Sequence, residues 1–414
     1  MADNLRQIFH AFNPEKALNG EELQKYYVGF EENEKRIARL RTRLELCLET
    51  NEPMKLLFMG HRGSGKTTAL NKLVSGLDDA FFIVSYDVID LLDPNDVKYT
   101  DVLLSALAKL TEKTISENIS LSKELTGRIE KWGRTLVRTN TETEEMGAGF
   151  GVNIPFYFIN LFARMKSESQ TRYEVREEIK PRVSELISII NDTVFEIEKT
   201  GKQVLIIIDN LEKTEYENAM SIFVEHGTQI TQPMCKIIYT FPIALRSCDR
   251  YSQIRINFSA DIMYPSIKIH DKQGNLTEEA LKNRDFMKDI FERRGDLELI
   301  EGEALELAID MSGGVLREYI RIIRDAALNA ITFDKEKIDM DCVNDVIKDL
   351  KNTYRSQLSD EDYVILAETA KNRCIRRDGN LVRLLHNLSV LEYANDENWC
   401  DINPVVRLIM EENH

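Results

Sequence analysis

Eight consecutive residues, Gly60-His-Arg-Gly-Ser-Gly-Lys-Thr67, fit the pattern G-x-x-x-x-G-K-S/T. The short apolar run Lys55–Met59 precedes them, and Thr67–Leu77 follows with helical spacing. Few features constrain a fold as much, because a buried strand must pass through a glycine loop straight into a helix. Glycines in such a loop let backbone N–H groups curl around a β-phosphate, and the helix N-terminus adds partial positive charge. The expected nucleotide contacts are Gly60, His61, Arg62, Gly63, Ser64, Gly65, Lys66, Thr67 and Thr68. Lys66 is expected to reach the β- and γ-phosphates, and Thr67 to hold Mg²⁺ through its hydroxyl. The expected ligands are therefore ATP and Mg²⁺.

The rest of the chain supplies the sheet that such a loop needs. Ala80–Val88, Val204–Ile208 and Lys236–Tyr239 are short apolar runs of buried-strand type, and Met263–Ile269 reads as a fifth. Helical patterns lie between them, at Thr100–Leu110 and around Asn218–Ile230. Strands alternating with helices imply an α/β fold with a doubly wound parallel sheet. Residues 1–30 read as an ordered lead-in arm, and 31–50 as a helix with Ile37, Leu40, Leu44 and Leu48 on one face. The stretch 111–200 is long for one connection and reads as an insertion. It contains a glycine patch, GAGFG, with an expected hairpin around Phe150–Phe158 and a long helix ending near Thr200. GAGFG lacks a following Lys-Ser/Thr and a preceding buried strand, so it reads as a structural turn. Residues 275–350 read as a helical lid. Residues 351–414 read as helices followed by the strand-like runs Val390–Tyr393 and Trp399–Ile402, the order of a winged helix-turn-helix. The expected units are thus 1–50, a core 51–274, a lid 275–350 and a winged helix 351–414.

Val204-Leu-Ile-Ile-Ile-Asp209 is a buried strand ending in an acid, which would deliver Asp209 to Mg²⁺ beside Thr67. The next position is Asn210, which cannot accept a proton from water as a carboxylate can. Glu212 is the nearest acid. It either polarises the attacking water or caps the following helix, and slow hydrolysis is expected. Thr240 closes the strand of Lys236–Pro242 and either touches the γ-phosphate or its water, or merely starts a turn set by Pro242. Arg246 and Arg250 follow, each either a finger toward a neighbouring subunit's ATP or a solvated side chain. In the segment Met311–Ala327, the pair Gly313-Gly314 breaks one helix and starts another, placing Arg317 in the new first turn. Arg317 is expected to reach the γ-phosphate from the lid, with Arg321 and Arg324 in solvent.

The net charge is −16 and the pI about 5.1, so the chain lacks the basic footprint of a dedicated nucleic-acid binder. Residues 351–414 hold eight Lys/Arg against eleven Asp/Glu, a net of about −3, which should repel phosphates. The exposed side of the expected recognition helix offers Arg383, His386 and Asn387. The six cysteines, at 47, 235, 248, 342, 374 and 400, form no C-x-x-C pair and no zinc spacing. Free thiols in a reducing cytosol are expected. The N-terminus MADNLRQIFHAF has no secretory h-region, and no apolar run is long enough to span a bilayer. A cytoplasmic protein without membrane contact is expected.

Together, the phosphate loop, the Asp209 strand, the Thr240 strand and SGGVLR resemble the AAA+ ATPases of the origin-recognition type. The Asp-Asn-Leu-Glu run is also similar to that of the signal-transduction ATPases with numerous domains. The resemblance covers about 55–110 and 200–414 and implies a lid arginine acting as second sensor, which matches Arg317, and a winged helix after the lid. It implies an ATPase that switches or assembles a protein partner, as in stand-alone bacterial ATPases of anti-phage defence and mobile-element operons, with homo-oligomers among the possible states. The alternative is a DNA-binding initiator or transposition regulator that reads DNA with its winged helix.

Overall fold

The computed structural model describes residues 2–138, 154–373, 379–394 and 398–412. At its centre lies a parallel sheet of five strands in the order β2–β3–β4–β1–β5. These are β1 (Lys55–Met59), β2 (Phe81–Asp87), β3 (Gln203–Asp209), β4 (Lys236–Phe241) and β5 (Ala260–Met263). Side chains on a strand alternate between faces, and both faces here are apolar because helices cover both. Leu57, Phe82, Val84, Ile206, Ile208 and Tyr239 enter one core, under the helices Tyr99–Ser116 and Val183–Glu198. Leu56, Phe58, Phe81, Ile83, Leu205 and Ile238 enter the other, under the helices Glu31–Thr50 and Lys66–Val74. The sheet is therefore doubly wound, as expected, and its strand order is that of the AAA+ fold.

Two local expectations are corrected. The fifth strand ends at Met263 and does not run through Met263–Ile269. Pro265 has no N–H for the ladder, and Ile267 and Ile269 are buried in the lid core instead. In place of the hairpin around Phe150–Phe158, the chain is helical from Ile154 to Ser167, with the preceding residues and GAGFG outside the described segments. Ile154, Phe158, Leu161, Phe162 and Met165 recur at helical spacing and are all buried. Pro155 is tolerated in the first turn of this helix, where its missing N–H costs nothing.

The described part of the insertion is helical and shares the core beneath the sheet through Trp132, Phe158, Val175 and Leu186. Ion pairs tie it down: Arg176 meets Asp96 at 2.8 Å and the buried Asp101 at 2.6 Å, and Arg172 meets Asp96 at 2.8 Å. The lid comprises the helices Glu278–Arg294, Gly302–Met311, Leu316–Thr332 and Met340–Gln357. The short helix Leu5–Ala11 packs into its core, where Leu5, Ile8 and Phe12 join Phe291, Tyr319 and Ile322. The first residues are thus bound to the lid, while the helix Glu31–Thr50 lies on the sheet.

The C-terminal unit consists of the helices Asp360–Asn372 and Gly379–His386, the antiparallel strands β6 (Val390–Ala394) and β7 (Asn398–Ile402), and the helix Pro404–Glu412. Leu366, Leu384, Val390, Ile402 and Val406 form its core, which also takes in Ala244 from the segment after β4. On the other side of the hairpin, Leu391, Tyr393 and Trp399 pack on Val315 of the lid. Among the described residues, no helix is long and apolar enough to cross a membrane.

Candidate nucleotide site

In open α/β sheets, ligands gather at the carboxyl ends of the strands. Register places Met59 beside Phe241, Phe58 beside Thr240, and Asp87 beside Asp209. The loop Gly60–Gly65, Asp209 and Thr240 therefore converge at one edge. Gly63 and Gly65 have φ of 79° and 95°, left-handed values that glycine takes without penalty. A Cβ on Gly60 would lie 2.2 Å from the Tyr264 carbonyl oxygen, so the first glycine is required by close packing instead.

Lys66 is buried at the start of the helix Lys66–Val74. Its ammonium donates to the carbonyls of Gly60 at 3.0 Å and His61 at 2.8 Å, and pairs with the Glu212 carboxylate at 2.8 Å. The Thr67 hydroxyl donates to Asp209 Oδ2 at 2.6 Å. Burial first, and the nearby Glu212 charge second, push the Asp209 carboxyl above the usual range. Burial alone would raise Glu212 too, but the Lys66 ammonium outweighs it and holds Glu212 below the usual range. Two acids three residues apart are thus driven in opposite directions, Asp209 up by burial and the Glu212 charge and Glu212 down by its direct pairing with Lys66, which is how paired acids take different roles.

Glu212 lies in the 3₁₀ turn Leu211–Lys213, whereas the following helix is preceded by Glu215; Glu212 thus faces Lys66 and caps nothing. Its Oε2 is buried without a hydrogen-bond partner. Asn210 holds φ of 63° and donates its amide to Asp87. The Thr240 hydroxyl accepts from Leu211 N at 3.1 Å and donates to the Ile208 carbonyl at 3.3 Å. It therefore fixes the turn that carries Glu212.

Residues 45–225 match the family model for the KAP family P-loop domain, and this stretch contains the glycine loop, Asp209 and Glu212. The chain thus carries a P-loop NTPase domain over residues 45–225, on a sheet whose strand order fits the AAA+ fold. No curated protein matches the chain in sequence. Among solved structures, the chain is similar to Cdc6p from Pyrobaculum aerophilum, with 13% identity, 98% of each chain covered and a TM-score of 0.44. It is also similar to the Orc1 protein of Aeropyrum pernix in complex with DNA, with 12% identity, 92% of each chain covered and a TM-score of 0.41. RuvB, the Holliday junction branch migration motor of Thermotoga maritima, matches at 13% identity and a TM-score of 0.37, over 87% of this chain and 80% of that one.

The NTPase has a cavity of about 570 Å³ at this edge, lined by the phosphate loop, the lid and the N-terminal segment. Leu18, Tyr26, Val28, Phe286, Ile290 and Ile320 make its apolar part, and Lys66, Thr67, Asp87 and Asn210 its polar floor. The N-terminal segment is held there by specific bonds. Leu18 N donates to the Thr68 hydroxyl at 3.1 Å, and Asn71 donates to the Leu18 carbonyl at 3.0 Å. Sequence reasoning did not assign residues 14–30 to the site, since no local pattern marks a wall that only tertiary packing creates.

Arg317 lines the same cavity. Its backbone N–H donates to the Gly63 carbonyl at 2.9 Å, and its Nε donates to the Pro14 carbonyl at 3.1 Å. The lid docks this closely because Gly63 has no side chain: a Cβ there would lie 2.6 Å from Arg317 Cβ. A Cβ on Gly314, which holds φ of 74°, would lie 1.7 Å from the Ile267 carbonyl oxygen, so only glycine fits at this break. Arg321 pairs with Glu318 at 3.0 Å, and Arg324 lies over the Phe9 ring at 4.6 Å.

His61 and Arg62 share the loop backbone, but their side chains turn toward the C-terminal unit. His61 Nε2 accepts from Glu392 N at 2.6 Å. Arg62 Nη2 donates to the Lys213 carbonyl at 2.9 Å and to His386 Nε2 at 2.7 Å. His386 is therefore engaged with the core rather than exposed, and Arg383 pairs with Asp362, contrary to the free recognition surface expected from the sequence. Arg246 pairs with the buried Glu392 at 2.8 Å, an internal brace, while Arg250 Nε donates to Gln253 at 3.1 Å.

Proposed function

We propose that this protein is a Mg²⁺-dependent, slowly hydrolysing ATPase that works as a switch on a protein partner. The observation that carries this reading is that the lid and the C-terminal unit both bond directly to the phosphate loop. A change in phosphate occupancy thus acts on both at once.

The site's chemistry fits the ligands. The Lys66 ammonium is satisfied by two carbonyls and one carboxylate, so an oxyanion of the triphosphate can take the carboxylate's place. Thr67 and Asp209 put two oxygen ligands side by side. That donor set suits Mg²⁺, which binds through one or two protein oxygens plus substrate phosphates and would supply Lewis-acid stabilisation of the phosphoryl charge. Glu212, displaced from Lys66, is the general base closest at hand, with its free Oε2 turned inward. Its ion pair must first be exchanged, and Asn210 is committed to Asp87, so turnover is slow. Arg317 reads the terminal phosphate from the lid.

A protein partner is favoured over DNA because on the helix Gly379–His386 the Arg383 cation is paired with Asp362 and His386 is taken up by Arg62. An effector of a defence system is the partner class that the sequence resemblance suggests. The test is isothermal titration with a non-hydrolysable ATP analogue. Lys66→Ala should lose binding while keeping its far-UV signature, with a lower melting temperature because the buried Glu212 loses its partner. Unchanged affinity would remove the site.

A further inference from the structure

Two of the four unconstrained positions of the phosphate-loop motif, His61 and Arg62, carry large side chains. Both reach more than 300 residues along the chain to the C-terminal unit. The His61 imidazole is fully buried and accepts from Glu392 N, which leaves the proton on Nδ1, where no acceptor meets it. Burial first, and the Lys66 charge second, hold this imidazole down to about 3, so it is neutral. Around it stand Glu392 and its partner Arg246, and on the loop itself Lys66. The contact is a rigid, charge-neutral anchor for the β6–β7 hairpin.

Arg62 differs in kind. Its guanidinium is largely buried between Glu212 and Arg317, yet every acceptor it meets is neutral: the Lys213 carbonyl, the Glu212 carbonyl at 3.5 Å, and His386 Nε2. Its Nε–H is buried without an acceptor. His386, the last residue of its helix, accepts from Arg62 and is held neutral, down to about 4, by burial and then by the Arg62 charge. A buried cation whose hydrogen-bond acceptors are all neutral gains from any oxyanion that comes within reach, because opposite charges attract more strongly where water is excluded. Arg62 also lines the nucleotide cavity, beside Gly63, Glu212 and Arg317.

We propose that Arg62 is a latch that reads the terminal phosphate: in the absence of that phosphate it holds the helix Gly379–His386 through His386, and when the phosphate is present it turns to it and frees that helix. His61 keeps the hairpin attached in both states, so the C-terminal unit pivots on the hairpin and does not detach. This inference rests on the switch reading above and names the residue through which it acts.

The test is amide hydrogen exchange of the full chain, alone, with ADP and Mg²⁺, and with a non-hydrolysable ATP analogue and Mg²⁺, alongside the scattering radius and binding by titration. Wild type should show at least tenfold faster exchange over 379–386 with the analogue and less than twofold change with ADP. The β6–β7 hairpin should stay protected throughout. At analogue concentrations that saturate it by titration, Arg62→Ala should show exchange over 379–386 that no longer depends on which nucleotide is present. His386→Leu, which removes the acceptor for Arg62, should behave the same way, which guards against a folding defect specific to the loop variant. If the analogue changes the wild-type radius but not exchange over 379–386, or if Arg62→Ala responds as wild type does, the latch is wrong and the switch reading survives. If the analogue binds and changes neither quantity, the switch reading itself falls.

Discussion

Replacing Glu212 by glutamine separates its two proposed roles, as the anion that satisfies Lys66 and as the base for hydrolysis. The change keeps size and one acceptor but removes the charge that faces Lys66 at 2.8 Å in a buried site. A hydrogen bond to a charged group is worth about 1.5–3 kcal/mol, so the nucleotide-free protein should lose about 2 kcal/mol. For a unit of roughly 150–250 residues that lowers the melting temperature by about 4–8 °C. With a saturating ATP analogue the phosphate satisfies Lys66 in both proteins, and the gap should shrink to under about 2 °C. General-base catalysis contributes about 10²–10⁴-fold, so steady-state hydrolysis should fall by at least about 100-fold. Differential scanning fluorimetry with and without the analogue, and a phosphate-release assay, read the two effects independently. Equal melting of the nucleotide-free proteins would refute the ion pair as what holds Lys66. Wild-type hydrolysis by Glu212→Gln would refute Glu212 as the base.

Two further outcomes follow from other contacts. Arg317→Ala should bind ADP about as well as wild type but lose most of its preference for ATP over ADP, about 10–150-fold by titration, the scale of one hydrogen bond to a charged group; an unchanged ratio would leave Arg317 as a brace to Pro14 alone. His61 is held neutral in the folded protein, down to about 3 against 6.5 in water, so the unfolded chain binds the extra proton between those values. Its contribution to stability is therefore present above pH 6.5 and lost as pH falls, by up to about 1.4 kcal/mol per pH unit. Denaturation at pH 7 and pH 5 should show wild type losing about 2 kcal/mol more than His61→Gln over that interval, and parallel losses would contradict the buried neutral imidazole.

Much of this site was legible because it depends on local chain chemistry. The glycine loop, the acid at the end of β3 and the double glycine before Arg317 each impose a backbone geometry that few other residues could meet. The strands β1 to β4 were legible because their apolar runs are buried on both faces. The helix Ile154–Ser167 was misread as a hairpin: its aromatic residues favour a strand in isolation, and packing against the insertion overrode that tendency. The end of β5 was misplaced because an apolar run continues past it, and only Pro265 marks where pairing stops. The cavity wall from the N-terminal segment and the contacts of His61 and Arg62 with Glu392 and His386 left no local trace. They join residues hundreds of positions apart at sites where the motif accepts any side chain.

The lid and the C-terminal unit both rest on the phosphate loop, and the proposed switch acts by releasing those contacts when the terminal phosphate binds. Small-angle scattering of the wild-type protein, without nucleotide, with ADP and with a non-hydrolysable ATP analogue, tests that most directly. The radius of gyration should rise with the analogue, stay at the nucleotide-free value with ADP, and not respond at all in Lys66→Ala. An analogue that binds wild type tightly and leaves the radius unchanged would contradict the switch.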